Sequence, residues 1–315
     1  MRVFVAGATG VVGRRLLPQL VKRGHEVVGM TTSPEKAEAL RGLGATPVVA
    51  DALDAEAVGA AVSGAAPDAI VHQLTALSGG VDLRHQERDM APTNRLRTEG
   101  TDHLLSAGRA AGVSHFVAQS FLVGTYERSG GAVKSEDDPL DPDPPDSIRT
   151  TLDAIRHLER AVTGAEWTHG VVLRYGAFYG PGTAFATDPA GEMTEMIRKR
   201  RLPVVGGGSG IWSLTHVDDA AGATVAALEG ARGGVYNIVD DEPAPVAEVL
   251  PALAAELGAK PPRRVPRWIG RLLAGGGATM MMTEARGASN AKAKRELDWH
   301  PRHPSWRRGF ATALD

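Results

Sequence analysis

The sequence predicts an α/β fold, a doubly wound parallel sheet with a smaller C-terminal lobe that binds the substrate. In the first half of the chain, short apolar runs rich in β-forming residues alternate with helical runs, which is typical of parallel α/β sheets. A glycine-rich loop joins the first apolar run to the first helical run. The length of 315 residues suits one large α/β unit with an appended lobe.

The predicted strands are nearly continuous apolar runs, the pattern of parallel strands buried on both faces. They are Arg2–Ala6, Glu26–Thr31, Thr46–Ala50, Asp68–Leu74, His115–Ser120 and His169–Arg174. The first helix follows from an apolar stripe at helical spacing, and Gly24 ends it. The members of this stripe are Val12, Leu16, Leu17, Leu20 and Val21.

The second half of the chain is less regular, and we divide it from the first at residue 182. Residues 1–182 form the predicted sheet domain, to which segments near 211–240 return, and residues 183–315 form the lobe. Later elements are the helices Asp146–Val162, Met193–Arg200 and Asp218–Leu228 and the strand Gly234–Val239.

Two irregular segments have two interpretations each. Residues 124–146 are rich in glycine, proline and acidic residues, so they form a long loop that is either functional or an inert surface loop. Residues 260–285 contain a triple glycine and three consecutive methionines. That composition suits a mobile cover over an apolar pocket, and it equally suits plain core filling.

Composition excludes several classes of function. The net charge is −2 with acidic and basic residues intermixed, so we expect neither a nucleic acid nor a membrane as a partner. The absence of cysteine excludes disulfides, thiolate nucleophiles and cysteine metal sites. His300 and His303 are predicted to lie in a solvated turn, and no metal site is predicted. The N-terminus has no signal-like apolar stretch and no run approaches the roughly 18 residues of a membrane span, so a cytoplasmic protein is expected.

The loop Gly7-Ala8-Thr9-Gly10-Val11-Val12-Gly13 has the arrangement of a dinucleotide-binding, or Rossmann, turn. Gly7 permits the tight turn, Gly10 lets the backbone approach a pyrophosphate, and Gly13 lets the helix pack closely. The helix that follows points free N–H groups and the positive end of its dipole at the phosphates. The loop therefore predicts a bound nicotinamide dinucleotide.

Several further motifs stand in the order found in one known family. They are Leu173-Arg174-Tyr175-Gly176 with Tyr179-Gly180-Pro181-Gly182, then His216-Val217-Asp218-Asp219-Ala220, Tyr236-Asn237-Ile238, and Asn290-Ala291-Lys292 with Leu297-Asp298-Trp299-His300-Pro301. Together with the Gly-x-x-Gly-x-x-Gly spacing, they make the chain resemble the extended short-chain dehydrogenase/reductase family, the group of NAD-dependent epimerases and dehydratases. The resemblance runs along nearly the whole chain.

The resemblance also implies where the cofactor lies. Asp51 resembles the family's adenine-contacting acid after the third strand, and the exit of the fourth strand lines the cofactor. Beyond the three glycines, the implied cofactor residues are Thr9, Val11, Val12, Arg14, Asp51, Ala52, Leu53, Leu74, Thr75 and Tyr175.

The end of the second strand predicts NADP as the cofactor, with NAD as the alternative. NAD-specific sites place an acid there to bind the ribose 2′-hydroxyl. Here Thr32 and Ser33 follow the strand, and no acid appears until Glu35. The two hydroxyls, with Arg14 and Lys36 nearby, can receive a 2′-phosphate.

The family's catalytic pair is missing from this chain. The resemblance implies a Tyr-x-x-x-Lys pair early in the helix Asp146–Val162, but Thr151 and Ile155 stand in those places. This departure resembles the atypical members of the superfamily. We therefore assign Ser120 and Thr151 as candidate hydrogen-bond donors to a substrate oxygen, and Tyr126 as a candidate proton donor.

Other proton sources stay open beside Tyr126. Tyr175 and Tyr179 are further candidate acids, and so is Lys134 on the long loop, although a tyrosine in an apolar pocket more often only packs. Water or an acidic group on the substrate are the remaining alternatives.

The predicted function is an NAD(P)-dependent oxidoreductase of this atypical kind, which reduces a carbonyl on a small organic substrate. Two alternatives stay open: an NADP-binding sensor or scaffold protein without redox turnover, and a sugar-nucleotide epimerase or dehydratase, whose chemistry needs the missing tyrosine. The expected partner is a small-molecule carbonyl substrate, and a homodimer is an open alternative to a monomer.

Overall fold

Seven parallel strands form the central sheet in the computed structural model, which describes residues 1–77, 85–187 and 189–312. The strands of the central sheet and of several short two-stranded pairs are numbered together in chain order. They are β1 (Arg2–Ala6), β2 (Glu26–Thr31), β3 (Thr46–Val49), β4 (Ala69–His72), β5 (His115–Phe121), β6 (Val133–Lys134), β7 (His169–Tyr175), β8 (Ala177–Tyr179), β9 (Val204–Val205), β10 (Ile211–Trp212), β11 (Leu214–His216), β12 (Gly234–Ile238), β13 (Ala244–Pro245), β14 (Arg264–Val265) and β15 (Gly287–Ala288). The central sheet has the order β12-β7-β5-β4-β1-β2-β3, and each neighbouring pair is parallel. The predicted fold class is confirmed.

Helices cover both faces of this sheet. They are α1 (Gly13–Lys22), α2 (Ala37–Gly42), α3 (Ala55–Ala65), α4 (Gln86–Arg95), α5 (Thr101–Ala110), α6 (Asp146–Thr163), α7 (Glu192–Arg198), α8 (Val217–Gly230), α9 (Val246–Glu256), α10 (Arg267–Thr283), α11 (Ala291–Leu297) and α12 (Trp306–Thr312). A π-helical segment, Leu96–Gly100, joins α4 to α5, and a 3-10 turn, Pro34–Lys36, precedes α2. The apolar residues of α1 and α8 pack on one face, and those of α3, α5 and α6 pack on the other.

The end of β4 differs from the prediction in a way that matters for the site. The strand ends at His72 rather than Leu74, although the Gln73 N–H still donates to the Ala6 carbonyl at 2.8 Å. Leu74 and Thr75 therefore leave the sheet at its carboxyl edge, where open α/β sheets bind their ligands.

A separate apolar core lies in the later part of the chain. Tyr179, Leu202, Trp212, Leu250 and Trp306 are among its buried members. Short strand pairs such as β9 with β14 and β10 with β13 surround it. The division of the chain at residue 182 stays a prediction, since a shared core does not by itself define a domain.

The two irregular segments are anchored to the rest of the protein. Residues 124–146 contain β6, which pairs with β15, and the Asp141 N–H donates to the Thr125 carbonyl at 2.8 Å. Residues 260–285 contain α10, which bends at Gly275, where φ is 81°. Met280 and Met282 are buried, which agrees with core filling. Among the described residues, no helix combines the length and apolar character needed to cross a bilayer.

Gly170 in β7 tests how closely α6 packs on the sheet. A Cβ added there would lie 2.0 Å from the backbone oxygen of Val162, so α6 would have to move. We expect Gly170→Ala to lower the free energy of unfolding by about 1–3 kcal/mol in urea denaturation. The matched control is Gly59→Ala in α3, where an added Cβ meets no heavy atom within 4 Å. It should raise stability by about 0.5–1 kcal/mol, and equal effects of the two changes would contradict this packing argument.

Candidate cofactor and active site

The glycine loop after β1 has the geometry that its sequence predicts. Gly7 has a φ of +89°, and a Cβ on it would lie 2.5 Å from the Gln73 carbonyl oxygen. A Cβ on Gly13 would lie 2.4 Å from the Gly7 oxygen. Side chains at these two positions would therefore force the loop open.

The space above Gly10 fits a phosphate group. A Cβ on Gly10 would meet one heavy atom within 4 Å, the Gly7 oxygen at 3.2 Å. In the described part of the chain, the N–H groups of Val11 and Val12 donate to no backbone carbonyl. Unpaired N–H groups at a helix start beside open space are what a pyrophosphate needs. The residues present thus fit a dinucleotide.

At the exit of β2, an acidic side chain lies closer to the two hydroxyls than its position in the sequence indicates. Thr32 is exposed and Ser33 is half-buried. The Ser33 hydroxyl donates a short hydrogen bond to the Glu35 carboxylate, and this bond lowers the pKa of Glu35. An ionised carboxylate therefore lies beside the hydroxyls that are predicted to receive a 2′-phosphate. Arg14 is exposed, on the side of the loop that faces Gly182.

The exits of β3 and β4 present their predicted residues at the same edge. Asp51 accepts the Leu53 N–H at 3.0 Å, and the carbonyl of the buried Ala52 is bound by His103. Leu74 is half-buried and Thr75 is exposed. Their contact with a cofactor stays a prediction.

Ser120 belongs to a buried polar cluster at the ends of β5 and β7. Its hydroxyl donates to Glu159 of α6 at 2.9 Å, and Glu159 is paired through both oxygens with Arg174 at 2.8 and 2.7 Å. Arg174 also donates to the Tyr126 hydroxyl at 2.9 Å, and that hydroxyl donates to Asn237 at 2.7 Å. We call these five residues the Arg174 cluster. Burial alone would lower the pKa of Arg174, but the ion pair with Glu159 raises this pKa.

Thr151 lies apart from this cluster. Its hydroxyl accepts the Asn94 side-chain N–H at 3.2 Å. Thr151 and Glu159 are eight residues apart on α6, about 12 Å along the helix axis, so the structure does not bring Ser120 and Thr151 to one point. Ile155, which stands in the lysine place, is buried. The catalytic assignments of Ser120 and Thr151 stay predictions.

The tyrosine hydroxyls, which include the candidate acids, are buried. All four tyrosines of the sequence are at most 3% exposed. Burial raises the pKa of each, to about 12 for Tyr175 and Tyr236. The Tyr126 hydroxyl is bonded to Arg174 and Asn237 within the Arg174 cluster, and its role as proton donor stays a prediction. The Tyr175 hydroxyl points into the core, where it contacts Gln73 and Thr224.

The predicted solvated turn near the C-terminus is correct for His300 and wrong for His303. His300 is exposed, whereas the His303 ring stacks on His216 with centroids 3.7 Å apart. His303 also binds Asp219 through Nδ1 at 3.1 Å. His216, Asp219 and His303 hold ligand-type atoms within 4.8 Å of one another. The Asp219 carboxylate already accepts the N–H groups of Arg302 and His303, so this cluster fastens the C-terminal tail to α8.

Sequence reasoning missed two polar residues beside the site, Asn94 and Arg97. Arg97 is buried in the π-helical segment. The sequence contained a signal for Arg97, because this charged residue stands within a stripe of residues at helical spacing that are all buried. That stripe consists of Met90, Thr93, Arg97, Thr101 and Leu104.

Comparison with known proteins gives one family and several relatives. The model of the NAD dependent epimerase/dehydratase family matches residues 3–239. The chain is 47% identical, over 98% of its length and 99% of the relative, to the 3-diazoavenalumate denitrifying reductase of a Streptomyces species. It is 29% identical to the 2-alkyl-3-oxoalkanoate reductase of Stenotrophomonas maltophilia, over 82% of this chain and 76% of that one. A solved UDP-glucose 4-epimerase from Thermotoga maritima shares the fold, with a TM-score of 0.78, 22% identity, and coverage of 100% of this chain and 97% of that one.

Gly10 provides a test of the cofactor site. We expect Gly10→Val to abolish binding of NADPH and NADH in calorimetric titration, because a branched side chain fills the pyrophosphate space. The thermal unfolding temperature without cofactor should stay close to that of the unaltered protein, because the space above Gly10 is open. Retained cofactor binding by a folded Gly10→Val protein would place the dinucleotide elsewhere.

Proposed function

Because the chain belongs to the NAD-dependent epimerase/dehydratase family, we propose that it uses a nicotinamide cofactor to remove nitrogen reductively from an aromatic diazo carboxylate. The predicted oxidoreductase class is confirmed by the reductase relatives. The substrate class is our proposal, and its support is the loss of the family's Tyr-x-x-x-Lys pair together with the name of the 47% identical relative.

The loss of the family's Tyr-x-x-x-Lys pair is the observation that carries the proposal. Thr151 and Ile155 stand where the family has its tyrosine and lysine. The tyrosine hydroxyls are buried, with raised pKa values. Reduction of a ketone consumes a proton besides the hydride, because an alkoxide must be neutralised. A substrate that needs only hydride removes this requirement.

An aryl diazonium ion is such a substrate. Held over the glycine loop, a reduced nicotinamide would supply a hydride, which would form an N–H bond at the terminal nitrogen and consume the positive charge. The resulting aryldiazene would lose dinitrogen, release its N–H proton to water and take one proton from water at the ring carbon. Overall, one diazonium ion and one reduced nicotinamide give the arene, dinitrogen and the oxidised nicotinamide. No proton is taken from the protein.

A groove beside the site suits the carboxylate of this substrate. It has a volume of about 580 Å³ and lies between the start of α6 and α10. Ser147, which lines it, is one helical turn before Thr151, so the groove leads toward the site. Arg271 also lines it, and a guanidinium group binds a carboxylate in a planar, paired geometry. Arg149 lines the groove too, but it is already paired with Asp143 and Asp146.

Carbonyl reduction, the substrate class favoured by the sequence, is the second candidate. Thr151 accepts a hydrogen bond from Asn94, which leaves its own O–H able to polarise a carbonyl oxygen. The name of the 29% identical relative points the same way, since it describes a 3-oxo acid reductase. The proton would then have to come from water or from the substrate.

The substrate proposal is tested with an aryl diazonium carboxylate and NADPH that carries deuterium on its nicotinamide. We expect release of dinitrogen, the arene product in mass spectrometry, and slower oxidation of the deuterated cofactor than of unlabelled NADPH. Thr151→Val should leave this rate nearly unchanged, because no oxygen needs polarising. The rate should also stay flat with pH around neutrality.

A 2-alkyl-3-oxo acid serves as the comparison substrate. If the oxo acid is turned over and the diazonium substrate is not, carbonyl reduction replaces the diazo proposal. The rate of oxo acid reduction should then fall by about 10- to 1000-fold in Thr151→Val. Cofactor binding without turnover of either substrate would favour the sensor alternative.

We further propose NADPH as the preferred reductant. Its support is the pair of hydroxyls, Thr32 and Ser33, at the exit of β2. Glu35 opposes this preference, because its carboxylate lies against Ser33. NADPH should therefore bind more tightly than NADH. Its affinity should nevertheless be lower than it would be without the Glu35 carboxylate.

Glu35 makes the cofactor preference testable. We expect Glu35→Gln to tighten NADPH binding by a few-fold, the range of one exposed charge contact, and to leave NADH binding unchanged. The matched control is Glu38→Gln, which removes an exposed carboxylate paired with Arg41. Calorimetric titration in which the unaltered protein prefers NADH would show that the β2 exit selects the other cofactor.

A further inference from the structure

The helical stretch from α4 to α5 runs along the exit of β4. Thr93, Arg97 and Thr101 follow one another at a spacing of four residues, so they share one face of this stretch. The Thr93 hydroxyl accepts the Ala76 N–H at 3.0 Å. The Thr101 hydroxyl lies 3.0 Å from Nε2 of His72. The two outer residues thus contact both ends of the segment 72–76, and Arg97 stands between them on the same helical face.

Arg97 is the member of this face without a bonding partner. It is 6% exposed, and its Nη1 atom has no hydrogen-bond partner within the described residues. No carboxylate of the described chain forms an ion pair with it, and burial lowers the pKa of Arg97 to about 10. The guanidinium therefore remains charged at neutral pH.

A buried charge without a partner is costly, and the described residues supply no anion for Arg97. Burying an unpaired ion costs several kcal/mol even after relaxation. π-helical segments such as the one that contains Arg97 occur frequently at functional sites. An anionic ligand at the β4 exit would compensate for the charge.

The position of Arg97 favours a phosphate of the dinucleotide over the substrate carboxylate. The β4 exit touches the glycine loop, since the Gln73 oxygen would lie 2.5 Å from a Cβ on Gly7. The pyrophosphate of a Rossmann cofactor lies over this loop. The groove that suits the carboxylate is lined by α10 and the start of α6 and does not include Arg97.

From this juxtaposition we infer that Arg97 is a buried cation that binds a phosphate of the dinucleotide from the β4 side, opposite the N–H groups of Val11 and Val12. The inference depends on dinucleotide binding and is independent of the substrate proposed above. The two therefore fail separately, since cofactor affinity is measured without substrate.

The test combines affinity with stability of the cofactor-free protein. Arg97→Met keeps the length of the side chain and removes the charge. We expect the dissociation constants of NADPH and of ADP to rise by about 10- to 100-fold, the range of lost charge-assisted hydrogen bonds. The unfolding temperature without ligand should stay the same or rise, because replacing a buried unpaired charge by an apolar group removes a desolvation cost.

Two further variants keep the test decisive. Arg97→Lys retains the charge and should bind NADPH between the unaltered protein and Arg97→Met. Arg95→Met removes an exposed arginine, two residues away, that is paired with Glu99, and should leave both dissociation constants unchanged. A lower unfolding temperature of Arg97→Met with unaltered ligand affinity would overturn the inference and make Arg97 a structural residue.

Discussion

The buried ion pair between Glu159 and Arg174 is the contact on which the carboxyl edge of the sheet depends. It joins α6 to β7 through two hydrogen bonds, with both side chains less than a tenth exposed. Taking two charges out of water is repaid only where the geometry is good and the remaining polar atoms are satisfied. Ser120 and Tyr126 satisfy them. Removing either charge would therefore leave the other uncompensated and release the loop that carries Tyr126.

This constraint also limits the chemistry of the site. Ser120 and Tyr126 are predicted catalytic groups whose hydroxyls are bonded within the Arg174 cluster. Either hydroxyl has to give up its present acceptor before it can donate to a substrate oxygen. The edge that remains holds Thr151, Asn94 and the backbone of the glycine loop. Such a site can bind and orient, and it suits a hydride acceptor that needs no protein proton.

The sheet and the glycine loop could be predicted because each depends on local sequence. Apolar runs predict buried parallel strands wherever they occur, and Gly7 and Gly13 are required by contacts with residues close in sequence or at the adjacent strand exit. The orientation of hydroxyls could not be predicted in the same way. Ser120 faces α6 because strand residues alternate between faces, and its partner Glu159 is 39 residues later. His303 is likewise fixed by Asp219, 84 residues away.

Two buried arginines show how the same side chain acquires different roles. Arg174 has Glu159 as its partner, and the ion pair raises its pKa against the effect of burial. Arg97 has burial alone, which lowers its pKa. Both guanidinium groups stay charged at neutral pH. The two arginines therefore differ in the source of the anion that pairs with each. For Arg174 the chain supplies it, and the result is structural. For Arg97 the described residues supply none, and we infer that a cofactor phosphate takes that place.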